Sequence, residues 1–329
     1  MTDTARIDAI VAKVLAELTK PKESAAQSGS PAAAASAPAA PVPAPTSQSS
    51  PPPGAAPPSP AGNGRDGDLV IDLSDPTEES ARRTIRVVDP ADPEGLRNLC
   101  AATNARLGVG RAGPRPLTAP LLLFQADHGD TQDAIHGEVS QEVLDRFDLF
   151  TVTTRVEDRA EYLLRPDLGR RLADEAKATI SEKCAKGPDV QIVVGDGLSA
   201  AAIDNNLPDI LPVIEQGLKA AGLSLGTPFF VHNCRVGVMN DINAIIGAKA
   251  LVLLIGERPG LGIADAMSAY MGYDPQPGKS DADRDLICMI TSHGGTNPLE
   301  AGAYVVEFVQ RMLRYSASGV KLREAAAAG

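Results

Sequence analysis

Residues 188–203 read PDVQIVVGDGLSAAAI. The run Val190 to Val194 is short, rich in β-branched residues and apolar without alternation. That pattern belongs to a strand buried on both faces. The turn Gly195-Asp196-Gly197-Leu198 follows, and Ser199 is placed to cap a long helix over 200–221. Working outward toward the C-terminus, PFFVHN (228–233), ALVLLIGE (250–257) and LICMI (286–290) predict three more strands, and DINAIIGA predicts a short helix among them. NPLEAGAYVVEFVQRMLRYSASG predicts a closing helix, with Pro298 near its start and Gly319 near its end. Apolar strands alternating with helices imply an α/β fold, a doubly wound parallel sheet with helices on both faces, over residues 181–329.

Upstream, residues 68–180 predict a mostly helical lead-in. Leu96, Leu99 and Leu107 have helical spacing, Leu121 to Phe124 continue it, and VSQEVLDRF fits a further helix. LFTVTTRV predicts a strand near 149–156. Residues 21–67 are nearly all Ala, Pro, Ser and Gly, a composition that cannot bury enough apolar surface to offset chain entropy, so a disordered linker is expected. Before it, Ile7, Ile10, Val11, Val14, Leu15 and Leu18 form an apolar stripe at three- and four-residue steps. Residues 1–20 therefore read as an amphipathic docking helix on a tether.

The chain has 329 residues and a net charge of −11, which argues against nucleic acid and anionic lipid as partners. No apolar run reaches the length of a membrane span. Aromatics are 3% with no Trp, so the core must be aliphatic. Cys100, Cys184, Cys234 and Cys288 lie far apart, as do His128, His136, His232 and His293. That spacing supports neither a metal site nor a disulfide framework and fits reduced thiols in the cytoplasm.

Ligands of open α/β sheets bind beyond the strand carboxyl ends. Four loops are expected there: 195–199, 233–236, 257–262 and 291–295. Gly108-Val109-Gly110-Arg111-Ala112-Gly113 has the spacing of a dinucleotide fingerprint, but a helix-like segment precedes it and Pro114 and Pro116 follow, so a nicotinamide reading fails on context. Arg106, Arg111 and Arg115 make that loop basic, suited to phosphate or a partner's carboxylates.

Several long stretches resemble the small (light) subunit of ethanolamine ammonia-lyase. They are ARLGVGRAGPRPLTAPLLLFQADHGDTQDAI, YLLRPDLGRRL, PDVQIVVGDGLSAAAI, GTPFFV, GERPGLG and the GGTNP-led last helix, and together they span about Leu96 to Leu322. The resemblance implies a Rossmann-like sheet that holds adenosylcobalamin against a TIM-barrel large subunit, which carries the catalytic groups that convert ethanolamine to acetaldehyde and ammonia. It carries corrin contacts onto Val236, Glu257 and Leu286. The family has a cysteine at the third position, so Cys288, two residues further on, stays open as the alternative. It also implies that the N-terminal helix docks on a bacterial microcompartment shell. The competing reading is a non-catalytic scaffold protein of such a compartment.

Overall fold

In the computed structural model the described residues are 83–103, 105–256 and 260–328. They all fall in one compact unit. The expected docking helix and linker, residues 1–67, lie outside them.

The helices in chain order are α1 (Pro93–Ala102), α2 (Thr118–His136), α3 (Gln141–Arg146), α4 (Arg159–Leu164), α5 (Asp174–Lys183), α6 (Ala200–Ala220), α7 (Val238–Ile246), α8 (Pro298–Tyr315) and α9 (Val320–Ala328). The strands of the main sheet are β1 (Phe150–Thr153), β2 (Val190–Gly195), β3 (Phe229–His232), β4 (Ala250–Ile255), β5 (Met267–Tyr273) and β6 (Arg284–Ile290). Their order is β1-β3-β2-β4-β5-β6.

The first four strands pair in parallel; the unbroken apolar runs of β2 and β4 fit strands covered on both faces, while β1 at the edge leaves Thr151 and Thr153 exposed. The sheet then departs from the expected parallel layer. β5 pairs antiparallel with both β4 and β6, so the last two strands form a meander added to the parallel part. The sheet is α/β and mostly parallel. β1 comes from the stretch before residue 180, so the lead-in and the strands after it share one sheet.

Both faces are covered. Val190, Ile192 and Val194 point with Ala250, Val252 and Leu254 toward α6 and α8. Val193, Leu251, Leu253 and Ile255 point toward α5 and α7. Each fully buried aliphatic side chain contributes roughly 1.5–3 kcal/mol, and the strands hold little else. Two glycines let α6 and α8 approach closely. A Cβ on Gly217 would stand 2.6 Å from Val306, and one on Gly302 2.8 Å from Val213.

Local signals set the helix boundaries. Ser199 accepts a hydrogen bond from the Ala202 amide at the start of α6, and Asn297 accepts one from Leu299 at the start of α8. Asp92 accepts one from Gly95 at the start of α1, with Pro93 following it. That helix stops at Ala102, short of Leu107. The closing helix ends earlier than expected, at Tyr315, because Ser316 adopts a left-handed conformation. Gly319 instead precedes α9, where a side chain would collide with the Ala282 carbonyl.

The glycines of residues 108–113 serve a hairpin, Arg111–Ala112 against Arg115–Pro116. Gly110 has φ +69°, and a Cβ there would strike the Arg86 carbonyl. This geometry confirms that the motif is no dinucleotide loop. Arg106 turns inward to pair with the fully buried Asp127 at 2.5 Å.

Candidate functional site at the strand ends

β6 runs in the same direction as β4, since β5 reverses between them. The carboxyl ends of β2, β3, β4 and β6 therefore share one edge, and the expected loops 195–199, 233–236 and 291–295 follow β2, β3 and β6 there. β2 leads to α6 on one face and β3 to α7 on the other. In such a sheet the ligand crevice opens between those two loops.

Here side chains fill that crevice. Asp196 is buried, and its Oδ1 accepts the amides of Gly197 at 2.7 Å and Cys234 at 2.9 Å. Its Oδ2 accepts the Asn233 amide at 2.9 Å and faces His232 Nδ1 at 3.0 Å. Arg159 closes the cluster from α4. Its Nη2 donates to the Gly197 carbonyl, its Nη1 to Asn233 Oδ1 and its Nε to the Ile135 carbonyl. The hydrogen bond to Asp196 raises the His232 pKa above its ordinary value.

Next to this plug, Tyr162 lies between two guanidiniums, with Arg235 at 4.1 Å and Arg159 at 4.5 Å from its ring. Its hydroxyl donates to the Cys234 carbonyl at 2.7 Å, and burial pushes its pKa far up. Burial does the same to the Cys234 thiol, which keeps it unreactive. Gly169 must be glycine, since a Cβ would meet the Arg235 side chain at 2.6 Å.

Two clefts flank the filled crevice. The first, about 580 Å³, opens on the α7 face. Ile255 and Tyr270 line it from the sheet, Val236 and Gly237 from the loop after β3, and the 277–281 turn and Arg284 from the far side. The second, about 870 Å³, lies around Gly260–Asp265, Met289 and His293. In it His293 Nδ1 stands 3.0 Å from Asp265 Oδ2, while Asn205 and Thr291 hold the two carboxylate oxygens at 3.0 and 3.2 Å. The carboxylate fixes the ring and leaves it exposed to the cleft. Among the described residues no three His, Cys, Asp or Glu side chains converge as metal ligands, and no helix is long and apolar enough to cross a membrane.

The ethanolamine ammonia-lyase light chain (EutC) family matches residues 93–323. The chain belongs to the ethanolamine ammonia-lyase light-chain family. An ethanolamine ammonia-lyase small subunit of Clostridium perfringens is 46% identical over 251 residues, covering 76% of this chain and 85% of the relative. One of Listeria monocytogenes serovar 1/2a is 45% identical over the same shares. One of Clostridioides difficile is 42% identical over 260 residues, 78% of this chain and 88% of the relative. The family match thus runs from the start of α1 to within α9, which includes the first cleft and all of the second but Arg83.

In this light-chain fold, Val236 lines the first cleft and packs on the α7-side core. Leu286 lies directly opposite Tyr270 across the β5–β6 ladder, so it shares the cleft's face of the sheet. It is 46% exposed. Cys288 is two residues further along the same strand and is also exposed, a free thiol like Cys100, Cys184 and Cys234. Glu257 lies outside the described residues. The chain leading into it is fixed, because the Gly256 carbonyl accepts the amides of Leu198 and Ser199. Sequence reading did not single out Asp196, Arg159 or Tyr162. The GDG turn and the YLLRPDLGRRL stretch carried the signal, since an acid at a strand end and a glycine between arginines are what this cluster uses.

Proposed function

We propose that this light-chain family member is the small subunit of an adenosylcobalamin-dependent ethanolamine ammonia-lyase, and that it holds the cofactor along the strand-end edge against a large subunit with a TIM-barrel fold. The observation that carries this reading is that Val236 and Tyr270 line the first cleft and that the half-exposed Leu286 is the cross-strand neighbour of Tyr270 on the same face of the sheet. A corrin is a flat ring with apolar faces and a rim of amide side chains. Exposed aliphatic side chains suit its faces, and bare loop backbone suits its amides. Gly237 leaves the partly exposed loop after β3 without a side chain at this edge, while the buried Gly197 and Gly256 let the loops after β2 and β4 pack on each other, since a Cβ on either would strike the facing backbone. The residues present therefore fit the group.

Bound there, adenosylcobalamin would supply the radical that starts deamination. This chain orients and shields. The Asp196 cluster holds the loops after β2 and β3 in register. Val236 and Leu286 give apolar contact and exclude water, and the Glu257 carboxylate accepts hydrogen bonds from the corrin amides. The catalytic groups belong to the large subunit, so neither chain is active alone. The apolar stripe over residues 1–20 supports docking onto a microcompartment shell in the cytoplasm.

Mixing the purified chain with the large subunit and adenosylcobalamin tests the reading. Acetaldehyde and ammonia should form from ethanolamine only when all three are present. A large subunit that is equally active without this chain removes it from the enzyme.

A further inference from the structure

The first cleft has a charge that the rest of the chain does not lead one to expect. In a protein of net charge −11, its wall carries five cations, Arg170, Arg171, Arg235, Lys279 and Arg284, against the carboxylates of Asp167 and Asp281. Several of these cations are already engaged. Arg171 pairs with Asp241, Arg284 with Asp281 and Asn240, and Lys279 donates to the carbonyls of Tyr273 and Asp274. Arg235 donates its Nη2 to the Tyr162 carbonyl at 3.0 Å. The Nε atoms of Arg235 and Arg284 are buried with no hydrogen-bond partner, and the Arg284 side chain is 5% exposed. Arg170 makes no side-chain ion pair or hydrogen bond among the described residues. Its stem lies over Gly237, where a Cβ would come within 2.9 Å. A glycine beside it therefore places this unspent guanidinium on the cleft wall, next to Val236.

An arginine without an ion pair, in a half-enclosed cleft whose cations outnumber its carboxylates, suits a phosphate, whose oxygen pairs match the arginine fork. We infer that this cleft binds the phosphodiester of the cofactor's nucleotide tail, with Arg170 as its principal ligand. This rests on the cobalamin reading, and it assigns one part of the cofactor to a set of residues outside the three corrin contacts. Apolar Val236 and Leu286 would meet the ring while the cations beside them meet the tail.

The test uses the complex of this chain with the large subunit and follows corrinoid uptake by visible absorption, without turnover. Adenosylcobinamide, which lacks the nucleotide tail and its phosphate, is the comparison ligand. Arg170→Gln should weaken adenosylcobalamin binding by about tenfold, the size of one lost charge-assisted bond, and leave adenosylcobinamide unchanged. Arg170→Lys should restore most of the loss. Inorganic phosphate should compete with adenosylcobalamin in the parent complex and less in the glutamine variant. Equal weakening of both corrinoids, or of neither, overturns the assignment while the cobalamin reading stands. Phosphate binding that Arg170→Gln abolishes, with adenosylcobalamin affinity untouched, overturns it in favour of a free-phosphate site. A parent complex that takes up neither corrinoid removes the cobalamin reading, and this assignment with it.

Discussion

The Cys234 amide donates to the Asp196 carboxylate at 2.9 Å, and so the loop after β3 is fastened to the loop after β2 at the point where their helices part to opposite faces. With the amides of Gly197 and Asn233 on the same carboxylate, one buried side chain satisfies three backbone donors. Asp196→Ala should therefore cost about 3–5 kcal/mol, since it leaves those donors and Arg159 without their anion. Urea unfolding of the full chain measures this. A loss below about 1 kcal/mol would show that water replaces the carboxylate and that the cluster is not what holds the two loops.

His232 gives this cluster a pH dependence. Its hydrogen bond to Asp196 raises its pKa in the folded chain, so protonation favours folding. The contribution is complete below the ordinary value of 6.5 and disappears as pH rises through the raised one. The melting temperature should fall over that rise, and His232→Gln should flatten the slope. An identical slope in the variant would assign the dependence to another group.

Gly197 and Gly187 have nearly the same backbone angle, φ +58° and +67°, in different surroundings. A Cβ on Gly197 would strike the Gly256 carbonyl and approach Ile255 to 2.7 Å, whereas one on Gly187 meets nothing within 4 Å. Gly187→Ala should cost about 1 kcal/mol from strain alone. Gly197→Ala should cost at least ~2 kcal/mol more and weaken corrinoid uptake by the complex. Equal costs would mean that the loop beyond β4 yields freely.

Glu257→Gln keeps the shape of the side chain and removes its charge. If the carboxylate accepts a corrin amide, adenosylcobalamin affinity of the complex should fall by about 1–2 kcal/mol. Unchanged affinity takes Glu257 out of the site.

Deleting residues 1–20 should leave deamination by the mixed subunits intact and abolish co-sedimentation with microcompartment shells. Retained co-sedimentation assigns shell binding to another part of the assembly.

The parallel strands were legible because burial on both faces forces unbroken apolar runs. VQIVV and ALVLLI fall on β2 and β4 almost to the residue. β5 was not legible. MSAYMGY has no β-branched residue and includes Ser268 and Gly272, so neither propensity nor alternation marks it. Its partners on both sides determine it, a tertiary effect that no local window contains. β6 starts at Arg284, two residues before the apolar run, because Arg284 and Asp285 are buried through polar partners that lie far off in the sequence, the Asn240 side chain and the Gly319 amide. The candidate site divides in the same way. Val236 and Leu286 came from a motif series, and both fall on one face. The Asp196–Arg159–His232 cluster joins three segments through side-chain geometry, which spacing along the chain does not encode.

The reversal at β5 has a consequence for how this protein can diversify. The segment from Ile255 to Met267 leaves one strand and returns beside it, so its two stems are hydrogen-bonded neighbours. Lengthening a loop closed in this way costs only about 0.6 kcal/mol per doubling, provided that Ala264 and Asp265 keep their hydrogen bonds to Ser199, Asn205 and Asn206 at the start of α6. The loops after β2 and β3 feed α6 and α7 directly, and insertions there would shift a packed layer. Tailoring by insertion is therefore cheapest between Gly256 and Ile263, ahead of the anchored Ala264 and Asp265, where a graft from a relative can reshape the rim and leave the slab beneath it in place.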